Sequence, residues 1–397
     1  MSPPHALRPG RRGLLLGLGA TLALGRMRVA FGDAPGERRF VVVLLRGGLD
    51  GLHAVQPYAD PDFAALRGPL ALAQPGQAGG LLDLGGRFGL HPAMPWLHAL
   101  YASGEATILH AVAGPWRERS HFAAQDLLES GMSGRLSSGW LNRALSALPQ
   151  TGRVRTGLAV GGGVPLLLRG AVPVATYAPP GRERAPEELF RRILSLHADN
   201  PGMEAALAEG LRTRGFAAET LGAADRADRE TLSFPNLCLA AGRMLAARQG
   251  PRVAALEVGG WDTHVQQANT LTGALGTLDA GLARLREGLA SDWSRTVVLV
   301  VTEFGRTARV NGSQGTDHGT GGVAFLAGGA VRGGRVVADW PGLSSDALFE
   351  NRDLRPTLDL RRVAKGLLRD HLRLPESALA EAFPGSADAP PLAGLVG

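Results

Sequence analysis

Six short runs of apolar, largely β-branched residues constrain the fold of this chain more than any other feature. Glycine-rich turns and helical stretches separate the runs, which are Phe40–Leu45, Ala106–Val112, Gly157–Val160, Arg252–Val258, Thr296–Thr302 and Val323–Ala327. Several of them are apolar at successive positions, and a strand of that kind is typically buried on both faces of a parallel sheet. We therefore predict the α/β class, with a mostly parallel sheet between helical layers.

The first 32 residues have the composition of an export signal. They contain five arginines and no acidic residue, and the pair Arg11-Arg12 precedes an apolar stretch that ends near Gly25. That stretch is too short to span a bilayer, and the layout is typical of a twin-arginine signal. The alternative is a basic arm that precedes a buried helix. The export interpretation predicts a periplasmic or extracellular protein with no integral membrane segment.

The same segment accounts for most of the positive charge. The whole chain has a formal net charge of +6, and removal of the five arginines leaves +1. The chain has only 3 tyrosines, so it lacks the interleaved aromatic and basic residues that are typical of nucleic-acid binding. Nucleic acid is therefore not predicted as a partner.

The remaining residues, 33–397, are predicted to form one α/β domain. Residues 182–250 differ from their surroundings because they are rich in Ala, Leu, Arg and Glu at helical spacing, and we predict a mostly helical insertion there. A closing amphipathic helix is predicted over Thr357–Leu372, and the proline-rich tail from Pro384 is predicted to be irregular.

Three of the apolar runs lead into an acidic residue. Asp50 comes after the first run, Asp262 after the run that ends at residue 258, and Glu303 after the run that ends at residue 302. Ligands of parallel α/β sheets bind at the carboxyl ends of the strands, so these acids are predicted to converge on a metal site. The alternative is that each acid is a turn or N-cap residue.

Histidines accompany two of the acidic positions. Asp262 and His264 are two residues apart, so in extended backbone they project to one face. Asp317 and His318 form a second pair in a glycine-rich loop, although His318 could equally be a loop histidine bonded to backbone. The chain has a single cysteine, which excludes a cysteine-built site. Carboxylates and imidazoles without thiolate favour a divalent metal, zinc or manganese.

Ser120 is the candidate nucleophile. It precedes an alanine-rich helical run whose free N–H groups would favour an anion, and Arg117 and Arg119 add positive charge. The alternative is that Ser120 only caps the helix. His121 could be a ligand, a base or a packing residue. Arg306 lies beside Glu303 in the sequence and could pair with a carboxylate or bind an anionic substrate.

Together these motifs resemble an exported bacterial family called domain of unknown function 1501. The resemblance runs from about Arg39 to the C-terminal helix, and no single motif carries it. The matching segments are Leu45-Arg46-Gly47-Gly48-Leu49-Asp50-Gly51, Arg119-Ser120-His121-Phe122, Gly139-Trp140-Leu141-Asn142, Gly260-Trp261-Asp262-Thr263-His264, Thr302-Glu303-Phe304-Gly305-Arg306-Thr307 and Asp317-His318-Gly319.

That family is regarded as similar to the alkaline phosphatase and sulfatase superfamily, α/β enzymes with a metal centre at the strand ends. The resemblance implies that Asp50 matches the first acidic ligand and that Ser120 is the counterpart of the nucleophile. It implies that Asp262 with His264 forms the next ligand pair, that Glu303 falls where a late Asp-His pair begins, and that His318 matches the final histidine.

The sequence departs from the superfamily pattern at two places. Phe304 stands where a ligand histidine is expected, and Asp262 and His264 are separated by one residue where alkaline phosphatases have three. One metal position is therefore degraded, or the centre holds a single ion. The cysteine that matures to formylglycine in type I sulfatases has no counterpart here.

These observations support two alternative functions. The first is a metal-dependent hydrolase of phosphate or sulfate esters, acting on a small or polymeric anionic ester outside the cytoplasm. The second is a non-catalytic envelope protein that retains the hydrolase fold as a binding or assembly component, since a fold does not carry its function with it. The resemblance implies another exported envelope protein as a partner in that case.

Overall fold

A computed structural model describes residues 37–397, except 118, 133, 135, 150–154, 179–200 and 222–232. The predicted export signal at residues 1–32 lies outside the described residues, as do parts of the predicted insertion. Where the insertion is described, it consists of the helices Pro201–Leu221 and Phe234–Ala246. Among the described residues, no helix is long and apolar enough to cross a membrane.

The strands form one large sheet and one small one. In chain order the strands are β1 Arg39–Leu45, β2 Val55–Gln56, β3 Leu82–Asp83, β4 Gly89–Leu90, β5 Ala106–Ala113, β6 Gly157–Val160, β7 Ala175–Tyr177, β8 Val253–Val258, β9 Thr296–Thr302, β10 Gly322–Ala327, β11 Arg335–Val337 and β12 Leu358–Asp359. The large sheet has the order β11-β5-β10-β9-β1-β8-β6-β7, with β12 also paired to β5, and β2-β4-β3 form a small antiparallel sheet.

The large sheet is mostly parallel, as predicted. Strand β1 pairs in parallel with β8 and β9, and β6 pairs in parallel with β7 and β8. Strand β10 is the exception, because it is antiparallel to both β5 and β9. The sheet class predicted from the sequence is thus confirmed, with one reversed strand inserted between parallel ones.

Helices cover both faces of this sheet. The described helices are α1 Gly51–Ala54, α2 Phe63–Arg67, α3 Pro95–Ala102, α4 His121–Ser130, α5 Trp140–Leu145, α6 Pro201–Leu221, α7 Phe234–Ala246, α8 Gln267–Leu289, α9 Leu360–Asp370 and α10 Glu376–Ala382. The predicted closing helix over 357–372 corresponds to α9, which begins three residues later because Asp359 caps its N-terminus. Between β6 and β7, Leu166–Leu168 form one turn of 3-10 helix.

The alternation of side chains in β1 explains why the chain needs two helical layers. Val41, Val43 and Leu45 face a core shared with α3, α7 and α8, whereas Phe40, Val42 and Leu44 face a core shared with α4, α5, α9 and α10. All seven residues of β1 are buried. Because successive side chains of a strand point to opposite faces, a strand that is apolar at every position must be covered on both sides.

Candidate metal centre

Strands β1, β8 and β9 end at the same level of the sheet. Leu45 is in register with Val258 of β8 and with Thr302 of β9, so the segments after the three strands leave the sheet side by side. This arrangement produces a close approach. A Cβ atom at Gly47 would lie 2.6 Å from the backbone nitrogen of Asp262, and Gly47 has a φ of +126° that L side chains rarely adopt. The shared level of the strand ends brings the segments that carry Asp262 and Glu303 together.

Three histidines lie at these strand ends, and each has its Nδ1 atom fixed by an oxygen acceptor. His121 Nδ1 is 2.8 Å from Glu303 Oε1, and His264 Nδ1 is 3.1 Å from Asp317 Oδ1. His318 Nδ1 is 2.7 Å from the carbonyl oxygen of Arg119. A carbonyl or an ionised carboxylate can only accept, so each Nδ1 carries the hydrogen. In the neutral ring, each Nε2 therefore presents a lone pair.

The three Nε2 atoms converge on one carboxylate, that of Asp262. His264 Nε2 and His318 Nε2 lie 3.0 Å and 3.1 Å from Asp262 Oδ1, and His121 Nε2 lies 3.4 Å from Asp262 Oδ2. The Nε2 atoms of His264 and His318 are 3.0 Å apart. Among the described residues, one ligand atom each from His121, Asp262 and His318 lie within 4.8 Å of one another, close enough to share a cation.

These residues fit a divalent metal by their chemistry. Two neutral imidazole lone pairs 3.0 Å apart beside a carboxylate oxygen repel one another, whereas a shared cation would attract all three groups. His121 Nε2 is buried and has no hydrogen-bond partner, although a buried polar atom normally has one. Outer acceptors on the Nδ1 atoms are also typical of metal-binding histidines, because they fix the ring and its tautomer.

Glu303 is placed to orient His121 rather than to face the shared carboxylate. Its side chain is buried and accepts hydrogen bonds from the Gly47 backbone N–H at 2.9 Å, from Gln125 Nε2 at 2.9 Å and from His121. Burial alone would raise the pKa of Glu303, but the hydrogen bonds from His121 and Gln125 lower it overall. In turn, the hydrogen bond to Glu303 raises the pKa of His121. Asp317 holds His264 in the corresponding way.

Arg306 is buried beside the shared carboxylate. Its side chain is fully buried, and NH2 lies 2.9 Å from Asp262 Oδ1. Burial would raise the pKa of Asp262, but Arg306 and the surrounding histidines more than offset this, so that pKa is lowered. The Nε and NH2 atoms of Arg306 make no hydrogen bond of acceptable geometry. Because NH2 is paired with Asp262, Nε is the guanidinium donor without a partner, and such a donor is suited to an oxyanion.

Ser120 lies between two residues that contact the histidines. It precedes His121 and comes directly after Arg119, whose carbonyl oxygen accepts from His318. Ser120 is exposed and occupies the N-cap position of α4, but its side chain makes no capping hydrogen bond. The interpretation of Ser120 as a helix cap therefore has no hydrogen bond to support it, and Ser120 adjoins the cluster in the chain through its neighbour His121.

Two other arginines do not supply the positive charge that we expected near Ser120. Arg119 is held by Asp353 at 2.8 Å and by Glu350 at 2.6 Å. Arg117 donates to the carbonyl oxygens of Gly114 and Trp116. Of the arginines considered from the sequence, Arg306 is the one that faces the cluster.

The structure does not bring Asp50 into the cluster. Its buried carboxylate forms an ion pair with the buried Arg67, accepts from Gln267 Nε2 at 2.6 Å, and caps α1 through the His53 N–H. Among the described residues, Asp50 belongs to no group of three side chains that could share a cation, so its contacts do not support the metal-ligand prediction. The turn and N-cap alternative describes Asp50 better.

Asp50 still supports the cluster indirectly. Gln267 links it to Thr263, and Thr316 contacts both Asp50 and Gln267. Thr263 lies between Asp262 and His264, and Thr316 precedes Asp317. The buried network around Asp50 therefore holds both the segment after β8 and the loop before β10, which carry His264 and His318.

Phe304 packs against the cluster as an apolar wall. Its ring centroid lies 4.9 Å from that of His121 and 5.0 Å from that of His318. A Cβ at Gly48 would approach the Phe304 ring to 2.6 Å, so the turn after β1 closes over it. An apolar ring fills the position at which the superfamily resemblance would place a ligand.

Sequence reasoning missed several residues that support the cluster. Arg67 and Gln267 gave no signal because their partner, Asp50, is distant in the chain. Gln125 did carry a signal: it lies four residues after His121, and residues at that spacing share a helix face. Both side chains bind Glu303.

Fold and site together define an α/β protein with a candidate metal centre at the carboxyl ends of its central strands. The chain belongs to the family described as "Protein of unknown function (DUF1501)", whose model matches residues 95–383. No curated protein matches the sequence.

Several solved structures match this chain at low sequence identity. Ps i-CgsB in complex with k-i-k-neocarrahexaose is 10% identical with a TM-score of 0.40, over 89% of this chain and 77% of that one. An alkaline phosphatase superfamily protein from Vibrio parahaemolyticus is 13% identical with a TM-score of 0.37, over 77% and 63%. The PsFucS1 sulfatase from Pseudoalteromonas sp. is 12% identical with a TM-score of 0.35, over 83% and 68%.

Proposed function

We propose that this protein is a metal-dependent hydrolase of phosphate or sulfate esters. The observation that carries the proposal is the convergence of three imidazole Nε2 atoms and one buried guanidinium on the carboxylate of Asp262. Such a group combines ligands for a cation with an unused donor for an oxyanion. Both are needed to bind and activate an ester that carries negative charge.

In this proposal, His121, His264, His318 and Asp262 would hold one zinc or manganese ion. When bound, the ion would polarise an ester oxygen and favour the deprotonated form of a nearby hydroxyl. A single ion is proposed because the described residues contain one such group, and because Phe304 and the Asp50–Arg67 pair occupy the other positions that the sequence suggested.

The protein's own residues would divide the remaining work. Arg306 would bind one oxygen of the phosphoryl or sulfuryl group through Nε, which has no hydrogen-bond partner, while NH2 stays paired with Asp262. Ser120, whose side chain makes no cap hydrogen bond, would attack the phosphorus or sulfur atom and lose its hydroxyl proton to solvent. The bond between that atom and the alcohol oxygen would break, and the alcohol would leave with a proton. Water would then hydrolyse the seryl ester, which releases phosphate or sulfate and restores the Ser120 hydroxyl. Glu303 and Asp317 would keep the His121 and His264 rings oriented, and Phe304 would exclude water from one side of the group.

The test is turnover of nitrophenyl phosphate and nitrophenyl sulfate by protein loaded with zinc or manganese. We expect turnover by the wild type, and Ser120→Ala and Arg306→Ala are each expected to lose about 100-fold or more of it. Ser103→Ala, which removes another exposed serine hydroxyl beside a helix end, is the matched control and retains activity. Folded, metal-loaded wild type without turnover of either ester would remove the hydrolase proposal.

That negative result would favour the alternative, a non-catalytic envelope protein. In that case a stoichiometric exported partner should co-purify from envelope extract.

We further propose export by the twin-arginine pathway to the periplasm or beyond. The support is the sequence alone, namely Arg11-Arg12 and the adjoining apolar stretch. When both arginines are replaced by lysine, cell fractionation should find the protein in the cytoplasm. The control Arg26→Lys should be exported as the wild type is. Export that persists after replacement of Arg11 and Arg12 would contradict this proposal.

A further inference from the structure

A polar cavity adjoins the candidate centre and has no role in the proposed ester hydrolysis. Its volume is about 270 Å³, and it opens beside α4 and the 3-10 turn at residues 166–168. Its lining includes charged, amide and aromatic side chains, namely Arg46, Phe122, Gln125, Glu129, Arg169 and Glu257. A cavity of this size can receive a group of roughly the dimensions of one six-membered ring with its substituents.

This cavity shares a wall with the centre. Gln125 lines it and donates to Glu303, which orients His121. Phe122 also lines it and is the next residue after His121 in the chain. Arg46 lines it as well and precedes Gly47, whose N–H donates to the same Glu303 carboxylate. A substrate whose ester group lies at the centre would therefore extend its remaining part toward this cavity.

The charges that line the cavity are largely balanced against one another. Arg46 NH1 lies 2.6 Å from Glu129 Oε1, and Arg46 Nε lies 2.8 Å from Glu257 Oε1. The other oxygen of Glu129 accepts from the Leu167 N–H at 2.8 Å, which fixes the 3-10 turn against α4. The cavity wall is thus held in place before any ligand binds. Two arginines and three carboxylates line it, those of Arg46, Arg169, Asp126, Glu129 and Glu257, so the wall has a small excess of negative charge and mainly offers acceptors.

Phe122 adds an apolar surface at the rim. Its side chain is 86% exposed, and only Val265 among the described residues is another large exposed apolar side chain. Exposed aromatic rings that are not packed against the protein commonly provide a face on which a flat ligand surface can stack. Phe122 and the ion-paired wall thus combine an apolar face with paired donors and acceptors.

We infer that this cavity binds a hydroxyl-rich ring, a hexopyranose sugar, as the part of the substrate that carries the ester. A sugar hydroxyl can donate to the partly exposed Glu257 carboxylate, and the C–H face of the ring would stack on Phe122. An anionic group is less suited, because Arg46 is already shared by two carboxylates. The sugar is part of a substrate only if the proposed hydrolase function holds, so the inference rests on that function. Binding of the sugar to the cavity does not depend on catalysis.

The test measures binding in chelator-treated protein, so that it is independent of the metal centre. Saturation-transfer NMR would use methyl glucopyranoside and methyl galactopyranoside as neutral probes, with cyclohexanol as the apolar probe. We expect transfer to at least one glycoside in the wild type, and a dissociation constant raised about fivefold or more in Phe122→Ala. Val265→Ala, the matched exposed apolar residue beside His264, should bind as the wild type does.

Transfer to neither glycoside, transfer to cyclohexanol alone, or a smaller effect of Phe122→Ala than of Val265→Ala would overturn the inference. Circular dichroism of each variant would show that it is folded. Glycoside binding without ester hydrolysis would support the sugar site and contradict the proposed hydrolase. Ester hydrolysis without glycoside binding would support the hydrolase and contradict the sugar site. The two proposals can therefore fail separately.

Discussion

At the scale of single residues, the hydrogen bond on one ring nitrogen decides what the other nitrogen can bind. Glu303, Asp317 and the Arg119 carbonyl each take the Nδ1 hydrogen of one histidine. The Nε2 atoms are left to face Asp262. The sequence marked Glu303 and Asp317 as metal ligands because they are acids beside histidines. Their contacts instead make them acceptors for the rings, a distinction that spacing along the chain does not reveal.

Substitution of Glu303 tests this distinction. Glu303→Gln removes the charge that orients His121, and we expect metal affinity to fall by about 10-fold to 100-fold, the usual effect of losing an outer acceptor. Affinity for zinc and manganese would be measured by competition with a chelator. Glu257→Gln changes a carboxylate at the end of the neighbouring strand β8 and should leave the affinity unchanged. Equal affinities for Glu303→Gln and the wild type would contradict the assigned role.

Asp50 gives the second prediction at this scale. Asp50→Ala leaves the buried Arg67 without its partner, which should lower the free energy of unfolding by about 3–5 kcal/mol. The loss should be the same with and without a chelator, because Asp50 supports the fold and is not a ligand. Chemical denaturation would measure it, with the exposed Asp346→Ala as a control that changes little. A loss seen only in the presence of metal would restore Asp50 as a ligand.

At the scale of elements, the turn after β1 sets the distance between the segments that carry the centre. Gly47→Ala would introduce a Cβ against the Asp262 backbone at a φ of +126°. We expect a cost of roughly 1–3 kcal/mol and weaker metal binding, because the segment that carries Asp262 and His264 must move. Gly259→Ala, where nothing lies within 4 Å of the added Cβ, should leave both quantities unchanged. Denaturation and metal titration of the two variants would provide the comparison.

At the same scale, the pattern of apolar residues predicts where these strands lie but not the direction in which each one runs. The runs at 157–160 and 296–302 coincide with β6 and β9, and the others differ by one residue at an end, since continuous apolar stretches bounded by turns define buried strands well. The reversal of β10 could not be predicted. A strand buried on both faces has the same apolar pattern in either direction, so its orientation depends on partners that are distant in sequence.

At the scale of the whole molecule, buried histidines make stability depend on pH. Burial lowers the pKa of His53, His91 and His110 to about 4, against an ordinary value of 6.5. Above pH 6.5 these three histidines are neutral in the folded protein and in the unfolded chain. As the pH falls from 6.5 to about 4, the unfolded chain binds protons that the folded chain does not, so stability falls by up to about 3 kcal/mol per histidine.

Urea denaturation at pH 7, 5.5 and 4, with a chelator present, measures this effect. His110→Gln should lose less of its pH 7 stability than the wild type does, because one buried group no longer titrates. His98→Gln, at a partly exposed position, should behave as the wild type does. Parallel pH dependence of His110→Gln and the wild type would contradict the assignment.

The sequence predicted the sheet class and most residues of the cluster, because strands that end in register bring their succeeding loops together. It could not predict which acid faces the three Nε2 atoms and which acids accept from the Nδ1 atoms. That division depends on side-chain directions set by the packing of α4 and of the loop before β10.

We propose that His121, His264, His318 and Asp262 bind one divalent metal ion. Crystals of zinc-loaded protein, measured above and below the zinc absorption edge, test it most directly. We expect one anomalous peak, within ligand distance of the three Nε2 atoms and the Asp262 carboxylate, and no peak beside Asp50. A peak at Asp50, or no peak at the histidines in fully loaded protein, would contradict it.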